Sequence, residues 1–208
     1  MATKGRLTRE GIELAALELI EAEGLEGFSF RGLSKRLGCE PMSLYHHYPS
    51  KAALMDALLD RVIGELPAPP PPAPWRERLS RMAYDFRAMA WQRPAFFQFL
   101  ALHRMNTPGG LRWLDGALGA FREAGLDDET AARMFRAFGY YITGAALDET
   151  SGYARGPSAV NPPDVAEIAR TYPSVLAAAP WFAADQIDGT FKLGLDLLLD
   201  GVAARLKE

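Results

Sequence analysis

From Pro67 to Pro74 the chain carries six prolines in eight positions. Proline has no amide hydrogen and its ring collides with the preceding turn, so no helix runs through such a stretch. An extended polyproline spacer is expected, at about 3.1 Å per residue. It divides the 208 residues into an N-terminal segment (1–66), a linker (67–74) and a C-terminal segment (75–208). On both sides apolar residues recur at helical spacing, and no segment alternates as a strand would. The expected class is therefore all-α, in two parts.

Within the first part, local signals place four helices. Thr8 is a cap for a helix to about Glu23, with Ile12, Ala15, Ala16 and Leu19 as its stripe and Gly24 as a left-handed stop. Ser29 caps a short second helix that turns Phe30, Leu33 and Leu37 inward and ends at Gly38. Pro41 opens a third, through about His47, and Ser50 caps a fourth with Leu54, Leu58 and Val62 on one face. Beyond the linker, helices are predicted over 75–92, 95–104, 108–124, 128–154, 164–178 and 185–206, with a Gly/Pro-rich loop at 155–163.

Composition narrows the function classes. With 49% hydrophobic and 24% charged residues, the chain can bury a core and is not a disordered type. The single cysteine, Cys39, rules out an internal disulfide framework and suits a reducing compartment. The N-terminus shows no signal-peptide pattern and no run spans a bilayer, so a cytoplasmic protein with no membrane association is expected. No phosphate-binding glycine motif, paired metal ligands or nucleophile-base pairing stands out. An enzyme is not expected, nor a metal or cofactor.

The net charge of −3 hides a patterned surface. Residues 1–9 hold Lys4, Arg6 and Arg9 without an acid, and residues 10–26 hold six glutamates without a base. Over 27–51, Arg31, Lys35, Arg36 and Lys51 face Glu40 alone. A locally positive face for nucleic acid is compatible with an acidic whole.

Residues 29–54 carry the function. Two short helices joined by a tight glycine-containing turn give the geometry of a helix-turn-helix. The second helix can enter the major groove of double-stranded DNA and show Pro41, Met42, Ser43 and His46 to base edges. Leu44 would lock it inward against Leu33 and Leu37, and Tyr45 and Lys51 would reach flanking phosphates.

Tyr45, Tyr48, Lys51 and Leu54, preceded by Gly24, Phe28, Ser29, Leu33, Leu37 and Gly38, resemble the DNA-binding domain of the tetracycline-repressor family of bacterial regulators. The likeness covers about residues 8–65. It implies that Arg31, Pro41, Met42, Ser43 and His46 face bases. It also implies that Ser29, Tyr45, His47 and Lys51 anchor the phosphate backbone. Tyr45 and His47 with Lys51 look closest to the tetracycline-repressor branch itself. Gly32 inside the second helix and Glu40 as the third helix's cap depart from the pattern.

The resemblance further implies a homodimer whose C-terminal helices hold a small-molecule effector. Phe86, Met89, His103, Trp113, Phe138, Tyr141 and Thr143 are the candidate pocket residues. In the last helix Ile187, Phe191, Leu195, Leu198 and Val202 form one stripe, with Leu193 and Leu197 roughly opposite. A helix apolar on two sides needs two partners. Phe191, Leu195, Leu198 and Val202 are the candidate dimer residues, with Gly194 and Gly201 allowing close approach. The expected function is a ligand-responsive repressor that leaves a near-palindromic operator when an apolar effector binds. The alternative is a regulator answering to a protein partner, or to no inducer.

Overall fold

A computed structural model describes residues 7–67, 73–103, 105–151 and 164–205. Most of the proline run and the 155–163 loop lie outside the described residues. The protein is all-α, with no strand among the described residues. Eleven α-helices succeed one another there: α1 Arg9–Gly27, α2 Phe30–Leu37, α3 Pro41–Tyr45, α4 Lys51–Gly64, α5 Trp75–Gln92, α6 Pro94–Leu100, α7 Pro108–Glu123, α8 Asp128–Thr150, α9 Val165–Thr171, α10 Pro173–Ala178 and α11 Ile187–Arg205. Two compact units result, residues 1–120 and 121–208, so the packing divides inside α7.

In the first unit the expected caps form. The hydroxyls of Thr8, Ser29 and Ser50 accept from the amides of Gly11, Gly32 and Ala53, each at 3.1 Å. Gly24 adopts φ 76° and ψ 169°, a kink where a left-handed stop was expected, and a further turn of α1 continues from it to Gly27. Ile12, Ala16, Leu17 and Ile20 of α1 are buried with Leu33, Leu44, Leu54 and Leu58. Leu37 is only half-buried, a departure from its expected inward role.

Two further helices of this unit are capped from a distant helix: α6 has no side-chain cap of its own, and α7 adds a distant carboxylate to its own cap, in which the Thr107 hydroxyl accepts from Gly110 N at 3.2 Å. The first amides of a helix lack intrahelical partners and gather partial positive charge. At the start of α6, both oxygens of Glu21, from α1, accept from Ala95 N (3.0 Å) and Phe96 N (2.9 Å). At the start of α7, Asp60 Oδ1, from α4, accepts from Gly109 N at 2.6 Å. A Cβ at Gly109 would stand 2.8 Å from Asp60 O and 3.0 Å from Gly64 N, so only glycine permits this approach. Phe86 packs against Phe97 and Trp113, at ring-centre distances of 5.4 and 5.6 Å, as an aromatic cluster of α5, α6 and α7.

The second unit is built on α8 and α11. Asp127 caps α8 by accepting from Thr130 N at 2.7 Å. That bond holds its carboxyl below the usual range. Phe138 packs edge-on to Phe121 at 6.2 Å. The Tyr141 hydroxyl donates to Phe191 O at 2.6 Å, and the two rings stack at 5.6 Å.

Several boundaries differ from expectation. The 95–104 helix ends at Leu100, where His103 Nδ1 lies 2.7 Å from Phe99 O and competes for a terminal carbonyl. The 164–178 helix is two, because Pro173 excludes helical geometry at Tyr172 (φ −131°, ψ 59°). Two 3-10 turns, Ala179–Phe182 and Ala184–Gln186, precede α11. No helix among the described residues is long and apolar enough to cross a membrane.

Candidate DNA-binding site

The helix-turn-helix is α2, the turn through Gly38, and α3. Gly38 takes φ 64°, and its amide and that of Cys39 bond back to Lys35 O and Ser34 O at 3.3 and 3.0 Å. That closing of the turn sets the angle at which α3 leaves. Leu44 is fully buried and is the anchor of α3. The opposite edge is bare: Met42 is 65% and Tyr45 46% exposed. Pro41 and His46 are also exposed, and Ser43 and His47 are half-buried beside them. Tyr45 is not loose, because its ring centre sits 4.9 Å from that of buried Phe30.

Arg31 is exposed on α2. Ser29 spends its hydroxyl on the α2 cap. Gly32 lies over that cap, since a Cβ there would come 3.3 Å from Ser29 Oγ and 3.6 Å from Leu19. Glu40 gives α3 no side-chain cap. Lys51 has a partner the sequence did not suggest: its ammonium donates to Phe28 O at 2.8 Å and stands 5.2 Å from the Phe28 ring centre. It therefore closes the C-terminal end of α1. Arg36, part of the basic run, pairs with Glu18 of α1 at 2.6 Å.

A network missed in the sequence lies beneath this surface. Tyr48 is buried just beyond α3, and its hydroxyl donates to Glu13 Oε1 of α1. Arg61 of α4 donates through Nε to Glu13 Oε2 at 2.5 Å. The Glu13 and Arg61 side chains are only 12% and 22% exposed. Burial first, then the bond to Glu13, pushes the Tyr48 hydroxyl well above the ordinary tyrosine range. The bond to Glu13 likewise raises Arg61. The available signal was that Glu13 lies next to Ile12 and three residues before Ala16 on the inward side of α1, unlike the exposed Glu10 and Glu18.

The candidate effector residues are distributed over both units. Phe86, Met89 and Trp113 are buried in the first unit. His103 is exposed and stacks on Phe99 at 3.6 Å. In the second unit Phe138 is buried, Thr143 half-buried, and Tyr141 locks α8 to α11. Of the candidate dimer stripe, Phe191, Leu195 and Val202 are buried within their own chain. Leu198 is half-buried. Leu193 and Leu197, at 62% and 64% exposure, are the free apolar face. Gly194 serves an internal approach, because a Cβ there would fall 2.5–2.7 Å from the Tyr141 ring. No cluster of three or more His, Cys, Asp or Glu fit for a metal occurs among the described residues.

Comparison with known proteins agrees with this architecture. Residues 67–206 match the tetracyclin repressor-like C-terminal domain, and residues 13–58 match the bacterial regulatory proteins of the tetR family. The HTH-type transcriptional repressor DrrR1 of Streptomyces coeruleorubidus is 33% identical over 70% of this chain, which spans 55% of that relative. The class A tetracycline repressor protein from transposon 1721 of Escherichia coli is 30% identical over 92% of this chain and 88% of its own. The Streptomyces coelicolor TetR family protein ActR, solved in complex with actinorhodin, superposes with a TM-score of 0.79 at 26% identity, covering 98% of this chain and 100% of that one. The family is one of DNA-binding regulators and not of enzymes. With a helix-turn-helix held from beneath and a bare recognition edge above it, this chain belongs to the tetR family of bacterial regulatory proteins.

Proposed function

We propose that the protein is a cytoplasmic, ligand-responsive repressor of the tetracycline-repressor branch. It binds a near-palindromic operator as a homodimer and releases it when a small, largely apolar effector binds. The observation that carries this reading is the α3 edge. Met42, Tyr45 and His46 are presented outward while Leu44 fixes the helix from within.

Pro41, Met42, Ser43, His46 and Arg31 read bases in this scheme, and Ser29, Tyr45, His47 and Lys51 hold phosphates. One such reader makes few contacts, so two half-sites about 34–36 Å apart are required. Residues 1–66 with α4 form the reading module, the 67–74 linker comes next, and 75–208 sense and dimerise. The exposed Leu193 and Leu197 support a dimer face on α11. The packed rings of Phe86 and Trp113, with Met89 also buried on α5, support an apolar wall for the effector. Two relatives support the ligand class, one named for tetracycline and one solved with actinorhodin. The Trp75–Leu79 stretch, Trp-Arg-Glu-Arg-Leu, supports the branch.

The test is binding of the purified protein to duplex from its own upstream region at low salt, repeated with polycyclic aromatic compounds, tetracycline first. Tight binding lost on adding one compound is expected. That compound should also raise Tm, since ligand at 100 times its Kd stabilises by about 2.7 kcal/mol. No binding to any duplex overturns the reading. Binding that no compound relieves or stabilises favours the regulator without a small-molecule inducer.

A further inference from the structure

We propose that Glu13, far from any base, is a positioning residue for DNA reading that holds the recognition helix through Tyr48 and Arg61. The proposal rests on α3 being that helix.

Besides buried Leu44 and the packing of the Tyr45 ring on Phe30, the start of α3 has little side-chain support. The helix has five residues, one of them buried, and no side-chain cap at its start. The exit of α3 is far better held. The Tyr48 amide donates to Leu44 O at 2.9 Å, so the Tyr48 ring moves with the end of α3. Its hydroxyl reaches one oxygen of Glu13, while the other oxygen accepts from Arg61 Nε. One carboxylate thus joins α1, the exit of α3 and α4. The Arg9 guanidinium stands 5.4 Å from the Tyr48 ring centre, and Arg61 Nη1 lies 3.3 Å from Glu65 Oε1. Glu13 and Arg61 balance in charge, and burial keeps the Tyr48 hydroxyl a donor. With both oxygens of Glu13 bonded, this part-buried network restrains the three elements that it joins.

That restraint bears on discrimination. Phosphate contacts come from long side chains and tolerate a small shift of α3. Base-edge hydrogen bonds do not. Releasing the network should therefore reduce affinity for the right sequence more than for the wrong one.

The experiment begins with the parent protein selecting its site from randomised duplexes. Affinities for the selected duplex and for an unrelated one of equal length are then measured at one salt concentration. The proteins are the parent, Tyr48→Phe, Glu13→Gln and the double variant, all held well below their Tm. Each single change should lower selected-site affinity about tenfold and the unrelated affinity less than about twofold. The double variant should be no worse than either single, because both act through one carboxylate. Equal losses on both duplexes, or none on either, in folded Tyr48→Phe protein would overturn the proposal. Should Glu13→Gln not fold, Tyr48→Phe decides alone. A parent that prefers no duplex overturns the reading of α3 and the proposal together.

Discussion

Lys51 shows how one side chain serves fold and function at once. An ammonium has three hydrogens, and the fold uses one on Phe28 O, at 2.8 Å. Two remain for a phosphate. Lys51→Ala should therefore lower Tm, at a cost of about 1 kcal/mol once exposure is discounted. It should also reduce the salt slope of DNA binding by about one unit. A lower Tm with an unchanged slope would confine Lys51 to the fold. Tyr48 gives a pH signature of the opposite kind. Its hydroxyl is held above the ordinary tyrosine value by burial and by Glu13. The folded state then resists an ionisation that the unfolded chain undergoes near pH about 10. Stability from this group is complete below that pH and is lost as pH rises beyond it. Thermal unfolding between neutral pH and strong alkali should show a steeper fall above pH about 10 in the parent than in Tyr48→Phe. Equal slopes would mean that the hydroxyl is not so held.

Among the helices, what the sequence made legible was local. Thr8, Ser29 and Ser50 cap at a separation of three residues, Gly24 and Gly38 take positive φ, and Leu44 points inward, all from signals within one turn. Leu37, the last residue of the short α2, is only half-buried beside the Gly38 turn. Pro173 was legible too, since the residue before a proline avoids helical geometry, yet helical periodicity ran over it. The contacts that escaped join residues far apart: Glu21 to α6, Asp60 to α7, Glu13 to Tyr48 and Arg61, and Gly194 under Tyr141. Periodicity reports which face is apolar, not which partner it meets. These joints can be tested by size. Gly109→Ala would press a methyl to 2.8 Å from the Asp60 backbone oxygen, which cannot swing aside. A loss of about 1–3 kcal/mol in denaturant unfolding is expected. Gly194→Ala meets instead the ring of Tyr141. Its cost should shrink in a Tyr141→Ala background, where the obstructing ring is gone, and additive costs would deny the contact.

For the molecule as a whole, the last helix distinguishes folding from assembly. Two apolar faces of α11 have different fates: Phe191, Leu195, Leu199 and Val202 are buried in their own chain, while Leu193 and Leu197 remain bare. Water should not be left on such a face, and a second copy covers it if the protein dimerises as proposed. A charge placed there costs the isolated chain little, because the side chain already projects into solvent. Leu193→Asp with Leu197→Asp sets like charges across a two-fold interface, where each would be desolvated. The doubly substituted chain should keep its helical circular dichroism, sediment as a monomer, and bind the operator far more weakly, because one reader lacks its linked neighbour. Leu195→Asp is the contrasting substitution, since its charge enters the core against α8 and should unfold the unit before any question of assembly arises. If the bare-face variant stays dimeric and binds as the parent does, the dimer contact is elsewhere, and α11 joins the fold without joining the subunits.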